Sequence, residues 1–397
     1  MLKRELYISK IRPFMEKDIV KVLTGIRRCG KSVMLDLIKN ELKEKGAEEK
    51  NFLSVNFETK AADYVKSADL TYKYVKSFAA EHSGKIYLFL DEIQELAEWE
   101  KVINSFMIDF DCDIYVTGSN AKLLSGELAT YLAGRYVEFR IYPFSFSEVT
   151  KILPEKTETE AFNIYLKQGG MPFLYRFPMD ENSVKQYLND IFDSIILKDI
   201  ISRFKIRDTE QFKRILLYFI SNIGNTFSAS SITKYMKNEY RGISGETLYN
   251  YIDYCKSACL FHLVPRQDLM GKKLLQFQEK IYLTDHGIRE AIYGNNIRDI
   301  NQVLENIVFM ELIRRGYKVF VGKNASYEVD FIAEKGGERE YYQVTYMLAS
   351  EDTVQREFGA FRGIDDNYPK YVLSLDELDF SRNGYKHMNI RKFLLNV

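Results

Sequence analysis

Ile19-Val20-Lys21-Val22-Leu23-Thr24-Gly25-Ile26-Arg27-Arg28-Cys29-Gly30-Lys31-Ser32-Val33-Met34-Leu35 is the stretch that decides the fold. An apolar run feeds a G-x-x-x-x-G-K-S loop, and apolar residues resume at helical spacing directly after it. A strand, a glycine loop and a helix start in that order aim several backbone N–H groups at one point. A polyphosphate can accept them there, and the helix dipole favours its charge. Gly25 and Gly30 allow backbone angles and a close approach that a Cβ blocks. Gly25, Ile26, Arg27, Arg28, Cys29, Gly30, Lys31, Ser32 and Val33 are thus the expected nucleotide cradle, with Lys31 reaching the terminal phosphates and the Ser32 hydroxyl ligating Mg²⁺.

A second apolar run, Ile86-Tyr87-Leu88-Phe89-Leu90, ends in Asp91-Glu92, and Asp91 lies 59 residues after Ser32. In this pairing Asp91 holds the Mg²⁺ through water while Glu92 polarises the attacking water, so the two acids have separate tasks. Further strand runs fall at 19–24, 51–57, 113–117 and 136–142, with helical segments between them. That alternation predicts parallel strands with right-handed crossovers, hence an α/β fold with a three-layer sheet of P-loop NTPase type. Ligands on such sheets sit at the carboxyl ends of strands. The glycine loop, Asp91-Glu92 and Thr117-Gly118-Ser119-Asn120 all fall there.

The chain's 397 residues predict two to four domains, at about 100–200 residues each. Its 56 basic and 56 acidic residues cancel, so overall charge announces no nucleic-acid binder and any such surface is local. No uncharged apolar run is long enough to span a membrane, and Met1-Leu2-Lys3-Arg4-Glu5 opens no signal region. Four scattered cysteines form no disulfide framework, and Cys255 and Cys259 lack a second pair at zinc spacing. The expectation is a cytoplasmic enzyme without membrane contact.

A glutamate beside the metal aspartate, with a polar turn after the fourth strand, resembles the AAA+ class of P-loop ATPases. Ser119 or Asn120 is then its first sensor, touching the γ-phosphate or the water; a helix cap is the alternative for Ser119. Leu123-Leu124-Ser125-Gly126-Glu127-Leu128, Gly134-Arg135 and Tyr142-Pro143-Phe144-Ser145-Phe146-Ser147-Glu148 extend the likeness. Together these marks are similar to a large prokaryotic family of AAA-type ATPases, related to the archaeal ATPases, that carry a C-terminal domain of uncharacterised function. The resemblance implies ATP and Mg²⁺ as cofactors, and it alone favours ATP over GTP. It makes Arg135 a candidate for charge stabilisation at the γ-phosphate, in its own subunit or a neighbour's, and a homo-oligomer the state in which the second would apply. A plain surface arginine is the alternative.

In this reading residues 1–155 are the AAA+ core and 156–205 a helical lid. Residues 206–290 resemble a winged helix-turn-helix, with a hairpin expected from 260–264 and 278–283. Its third helix offers Thr247, Tyr249, Asn250 and Lys256 to a DNA groove. The segment holds 12 Lys and Arg against 9 Asp and Glu, too mild a surplus to demand DNA, and winged helices also dock proteins. DNA and a protein partner are both candidates. Residues 291–397 are similar in order to the PD-(D/E)xK nuclease core, in which Glu305 and Asp330 match the first two acids. Gln343-Val344-Thr345 stands where Glu-x-Lys belongs, and Gln is a weak Mg²⁺ ligand while Thr supplies no ammonium. An inactive nuclease-like site at Glu305, Asp330 and Gln343 is expected. The function implied is an ATPase coupling turnover to a nucleic-acid- or protein-binding module, with a slow ATP-dependent switch as the competing class and an active nuclease as a third.

Overall fold

Three of the apolar runs become strands buried along almost their whole length: β1 (Val20–Thr24), β3 (Ile86–Asp91) and β4 (Cys112–Gly118). Strands buried on both sides must be covered by two layers of helix. The flanking strands, β2 (Phe52–Asn56) and β5 (Tyr136–Arg140), are only partly buried, which marks them as edges. The five strands are parallel in the order β2-β3-β4-β1-β5. Helices Lys31–Glu44, Ala68–Glu81 and Trp99–Asp109 make the crossovers. A continuous core joins the first four strands to helices Ala68–Glu81 and Trp99–Asp109, with Val22, Leu88, Leu90, Ile103, Phe106 and Val116 at its centre. Each such side chain contributes about 1.5–3 kcal/mol on leaving water.

The computed structural model describes residues 2–119, 132, 134–176, 178, 180–238, 242–269, 273–294, 297–324 and 327–395. The chain divides into two units, Met1–Tyr142 with Ser257–Cys259, and Pro143–Lys256 with Leu260–Val397. Among the described residues no helix is long and apolar enough to cross a membrane.

Lys21 is a charge inside fully buried β1, and its neighbour strand supplies the answer. Its ammonium pairs with Asp113 and donates to Lys17 O at 3.0 Å. Asp113 also accepts the Glu16 N–H at 2.8 Å and the Tyr115 hydroxyl at 2.7 Å. A buried charge is tolerated only with such a full set of partners.

In the second unit, helices Phe146–Ile152 and Glu158–Gln168 each begin with a capping box, Ser145 with Glu148 and Thr157 with Glu160. Helix Glu181–Ser194 runs on into a π-helix at Ile195–Ser202. The Gly169-Gly170 turn meets the start of helix His286–Tyr293 at very close range. A Cβ on Gly169 would lie 2.0 Å from an Asp285 carboxylate oxygen, and one on Gly170 2.2 Å from Phe144 O. Buried Asp285 accepts the N–H groups of Gly170 at 2.8 Å and Gly287 at 2.9 Å, and burial pushes its carboxyl up to about 6.

Helices Thr209–Ser221, Ala229–Asn238 and Gly245–Ser257 precede an antiparallel pair, β6 (Phe261–Asp268) and β7 (Lys273–Leu283). The expected hairpin is present, with longer strands, but it is not a separate wing. Arg266–Asp268 of β6 pairs in parallel with 321–323 of β8 (Lys318–Asn324), so the pair is one end of a seven-stranded sheet. That sheet continues through β9 (Tyr327–Lys335), β10 (Glu338–Val344), β11 (Lys370–Ser374) and β12 (Lys386–Asn389), in the order β12-β11-β10-β9-β8-β6-β7. The sheet therefore crosses the 290/291 division expected from the pattern of the sequence.

Candidate functional site

Because β1, β3 and β4 are parallel neighbours, the residues that follow them emerge along one edge. There the chain leaves β1 through Gly25, whose φ is 154°; a Cβ would lie 2.2 Å from Ile141 O and 2.9 Å from Cys29 Sγ. Only glycine fits. Gly30, with φ 101°, caps the Lys31–Glu44 helix, and Arg28 also takes a left-handed conformation, with φ 68°. Ile26 and Cys29 are wholly buried, so they offer the loop their backbones rather than their side chains. Burial pushes the Cys29 thiol up, Lys31 and Arg4 opposing it only in part, so it stays protonated and is no nucleophile. Arg27 reaches Glu58 at 3.2 Å, whereas Arg28, Ser32 and Val33 are exposed. The first-turn N–H groups of a helix have no partner within it, which leaves this turn able to bind an anion.

Lys31 is buried and turned back on its own loop. Its ammonium donates to Gly25 O at 3.2 Å and Ile26 O at 3.5 Å, and lies 3.6 Å from Glu92 Oε1. Asp91 closes β3 with both oxygens engaged, one by the Thr117 hydroxyl and the other by Asn56 Nδ2 at 2.9 Å. Asn56 is fixed in turn by the Glu58 N–H, which its Oδ1 accepts at 2.9 Å. The Thr117 oxygen also accepts the Glu92 N–H at 3.0 Å. One hydroxyl thus ties both acids. Glu92 itself is left-handed, with φ 52°, a conformation that costs roughly 1–2 kcal/mol outside glycine. Its second oxygen accepts Gln94 Nε2 at 2.6 Å. The strained backbone holds the carboxylate between Gln94 and Lys31.

Sequence reasoning does not single out Asn56 or Gln94, and it places Thr117 only within a polar turn. A signal was there for Asn56: it is the polar residue near the carboxyl end of the 51–57 run, where ligand-facing groups gather. Ser119 is buried directly after β4 on the same edge. Asn120 lies outside the described residues.

Arg135 is not brought to this edge of its own chain. It precedes β5, and its carbonyl accepts the Val20 N–H at 2.9 Å, at the amino end of the sheet. From Val20 to Thr24 is four strand steps, roughly 13 Å at about 3.3 Å each. The Arg135 guanidinium meets Asn104 Oδ1 at 3.4 Å. In this structure Arg135 thus stands at the opposite end of the sheet from the glycine loop. On β5 the arginine at the carboxyl end is Arg140, opposite Thr24 and 3.5 Å from Glu138, which accepts the Thr24 hydroxyl.

Elsewhere, Glu305 sits on helix Ile300–Arg314, Asp330 on β9 and Gln343 on β10. Gln343 Oε1 accepts the Asp330 N–H at 3.2 Å, and Asp330 Oδ2 accepts the Val344 N–H at 2.8 Å. Among the described residues no group of three or more His, Cys, Asp or Glu is arranged to hold a metal ion. On helix Gly245–Ser257, Asn250 and Lys256 are exposed while Thr247 and Tyr249 are half-buried.

The AAA domain family matches residues 17–150, and a domain of unknown function matches 159–299. An uncharacterized protein of Haemophilus influenzae is 37% identical over 378 residues, covering 94% of this chain and 93% of that one. An uncharacterized protein of Methanocaldococcus jannaschii is 29% identical over 409 residues, covering 97% and 89%. Among solved structures, the ORC2 protein of Aeropyrum pernix gives a TM-score of 0.37 at 10% identity over 78% of this chain and 93% of that one. AMPPCP-bound DnaA of Aquifex aeolicus gives 0.32 at 14% over 63% and 85%. The glycine loop, the acid pair and the five-strand order, with the AAA match and a relative aligned over nearly the whole length, make one conclusion: the chain belongs to a prokaryotic family of AAA-type P-loop ATPases whose C-terminal region is uncharacterised.

Proposed function

We propose that this protein is an Mg²⁺-dependent ATPase whose turnover drives its C-terminal module, acting on DNA or on a protein bound to it. The observation that carries the reading is the Lys31 ammonium 3.6 Å from the Glu92 carboxylate, beside Asp91, at the open end of a parallel sheet. An arriving polyphosphate replaces the loop carbonyls and Glu92 as partners of Lys31. Glu92, released from the ammonium and still held by Gln94, then accepts the proton of the attacking water. Ser32 and Asp91 are the oxygen donors suited to Mg²⁺, which would neutralise phosphate charge. An exposed hydroxyl on the first turn and a carboxylate already positioned by Thr117 and Asn56 fit that role. Ser119 or Asn120 serves as sensor, and Arg135 stabilises γ-phosphate charge in its own subunit or a neighbour's, the second requiring a homo-oligomer.

In this reading 1–155 is the core, 156–205 the lid, 206–290 a winged-helix-like reader and 291–397 an inactive nuclease-like scaffold, the last two sharing one seven-stranded sheet. Asn250 and Lys256 are the reader's exposed donors. Four free cysteines favour a reducing, cytoplasmic setting. The test is hydrolysis measured against protein concentration, with and without DNA, for the native chain and Glu92→Gln. Expected are a specific rate that climbs with concentration, stimulation by DNA, and a loss of about 10²–10⁴-fold in Glu92→Gln with nucleotide binding retained. Equal rates in both proteins would refute the assignment of Glu92. Nucleotide held uncleaved by the native chain would instead favour a slow switch.

A further inference from the structure

The residues around Glu305 and Asp330 hold a cation of their own. Lys280, on β7, is almost wholly buried, and its ammonium lies 2.8 Å from Glu305 Oε1, 2.7 Å from Glu328 Oε1 and 3.8 Å from Asp330 Oδ1. Tyr282, two residues on and so on the same face of the strand, donates its hydroxyl to that same Glu305 oxygen. Arg266 of β6 takes the other Glu328 oxygen at 3.1 Å. Three elements thus converge: a helix gives Glu305, β9 gives Glu328 and Asp330, and the β6–β7 pair gives both cations.

We propose that the Lys280 ammonium is the permanent cation of this carboxylate cluster, filling the position a divalent metal would need, so that the C-terminal module works without metal.

Distance and chemistry support this together. Contacts of 2.7 and 2.8 Å are those of an ammonium with carboxylates, whereas Mg²⁺ needs oxygens at about 2.0–2.1 Å and Ca²⁺ at about 2.3–2.6 Å. The acids are spaced for the nitrogen. Asp330 Oδ2 is engaged as well, by the Val344 N–H, and the Gln343 side-chain oxygen by the Asp330 N–H. A tethered ammonium loses no translational freedom on binding and cannot diffuse away, so a metal would have to displace a group fixed to the sheet. The inference is independent of hydrolysis at the glycine loop.

Mn²⁺ alone is the probe, titrated into the nucleotide-free full chain and followed by the fall of its free EPR signal. The native chain is expected to show no Mn²⁺ site that Asp330→Asn removes. Lys280→Ala is expected to bind Mn²⁺ about tenfold or more tighter than the native chain, and Lys280→Ala/Asp330→Asn to lose that gain. Lys280→Arg, which keeps the charge, should behave like the native protein. Native Mn²⁺ binding abolished by Asp330→Asn would overturn the proposal, as would a folded Lys280→Ala with no added binding. Should Lys280→Ala fail to fold, the comparison of the native chain with Asp330→Asn decides alone.

Discussion

Thr117→Val separates the tie between the two acids from everything else in the core. The side chain is fully buried and valine fills the same volume, so no cavity forms. What disappears is one hydroxyl making two hydrogen bonds, to the Asp91 carboxylate and from the Glu92 N–H. A bond to a carboxylate is worth about 1.5–3 kcal/mol, and the partly buried Glu92 N–H left unpaired adds up to about 1, so the expected destabilisation is roughly 2–4 kcal/mol. The single tryptophan, Trp99, is buried in the same unit, so its fluorescence in urea reports this unit's unfolding without relying on a two-state treatment of the whole chain. Turnover should fall about 100-fold if Glu92 drifts by about 1 Å. Thr117→Ser keeps the hydroxyl and should keep most of both properties. A valine variant with the native urea midpoint and native turnover would refute the reasoning.

Gly25→Ala places a Cβ 2.2 Å from Ile141 O, and the loop or the end of β5 must give way; the expected result is loss of nucleotide binding by calorimetry, and native affinity would contradict it. His286→Gln tests a buried ring whose Nε2 meets Tyr165 O at 2.8 Å and which burial pushes down to about 4. The fold favours the neutral ring, so its contribution is complete above the unfolded value near 6.5 and is lost as pH falls toward 4. Native protein should therefore lose up to about 3 kcal/mol relative to His286→Gln over that window in urea unfolding followed by circular dichroism, and parallel pH profiles would count against it.

The first sheet was legible because its central strands are short, mostly apolar runs, each ending in the residues that matter: Thr24-Gly25, Asp91-Glu92, Thr117. Local pattern carries that much. The ties among them were not legible, since Asn56, Asp91 and Thr117 come from three strands, and only strand order makes them neighbours. Arg135 is a candidate through the family resemblance alone, and only register shows that it lies at the amino end of β5, away from the glycine loop. Lys280 had a faint signal, a charge inside the strand-like run Gln278-Glu279-Lys280-Ile281-Tyr282-Leu283, yet its partners lie 25 to 50 residues onward. Gly169-Gly170 read as a turn; that Gly170 also lies against the Phe144 carbonyl is a packing fact.

The pairing of 266–268 with 321–323 bears on how this protein can be dissected. Truncation after residue 290 strips β8 from β6 and bares a row of unpaired amides and carbonyls, a template for intermolecular strand addition. Deletion fragments would then report on insolubility rather than on division of labour. Point changes in the intact polypeptide are the cleaner genetics.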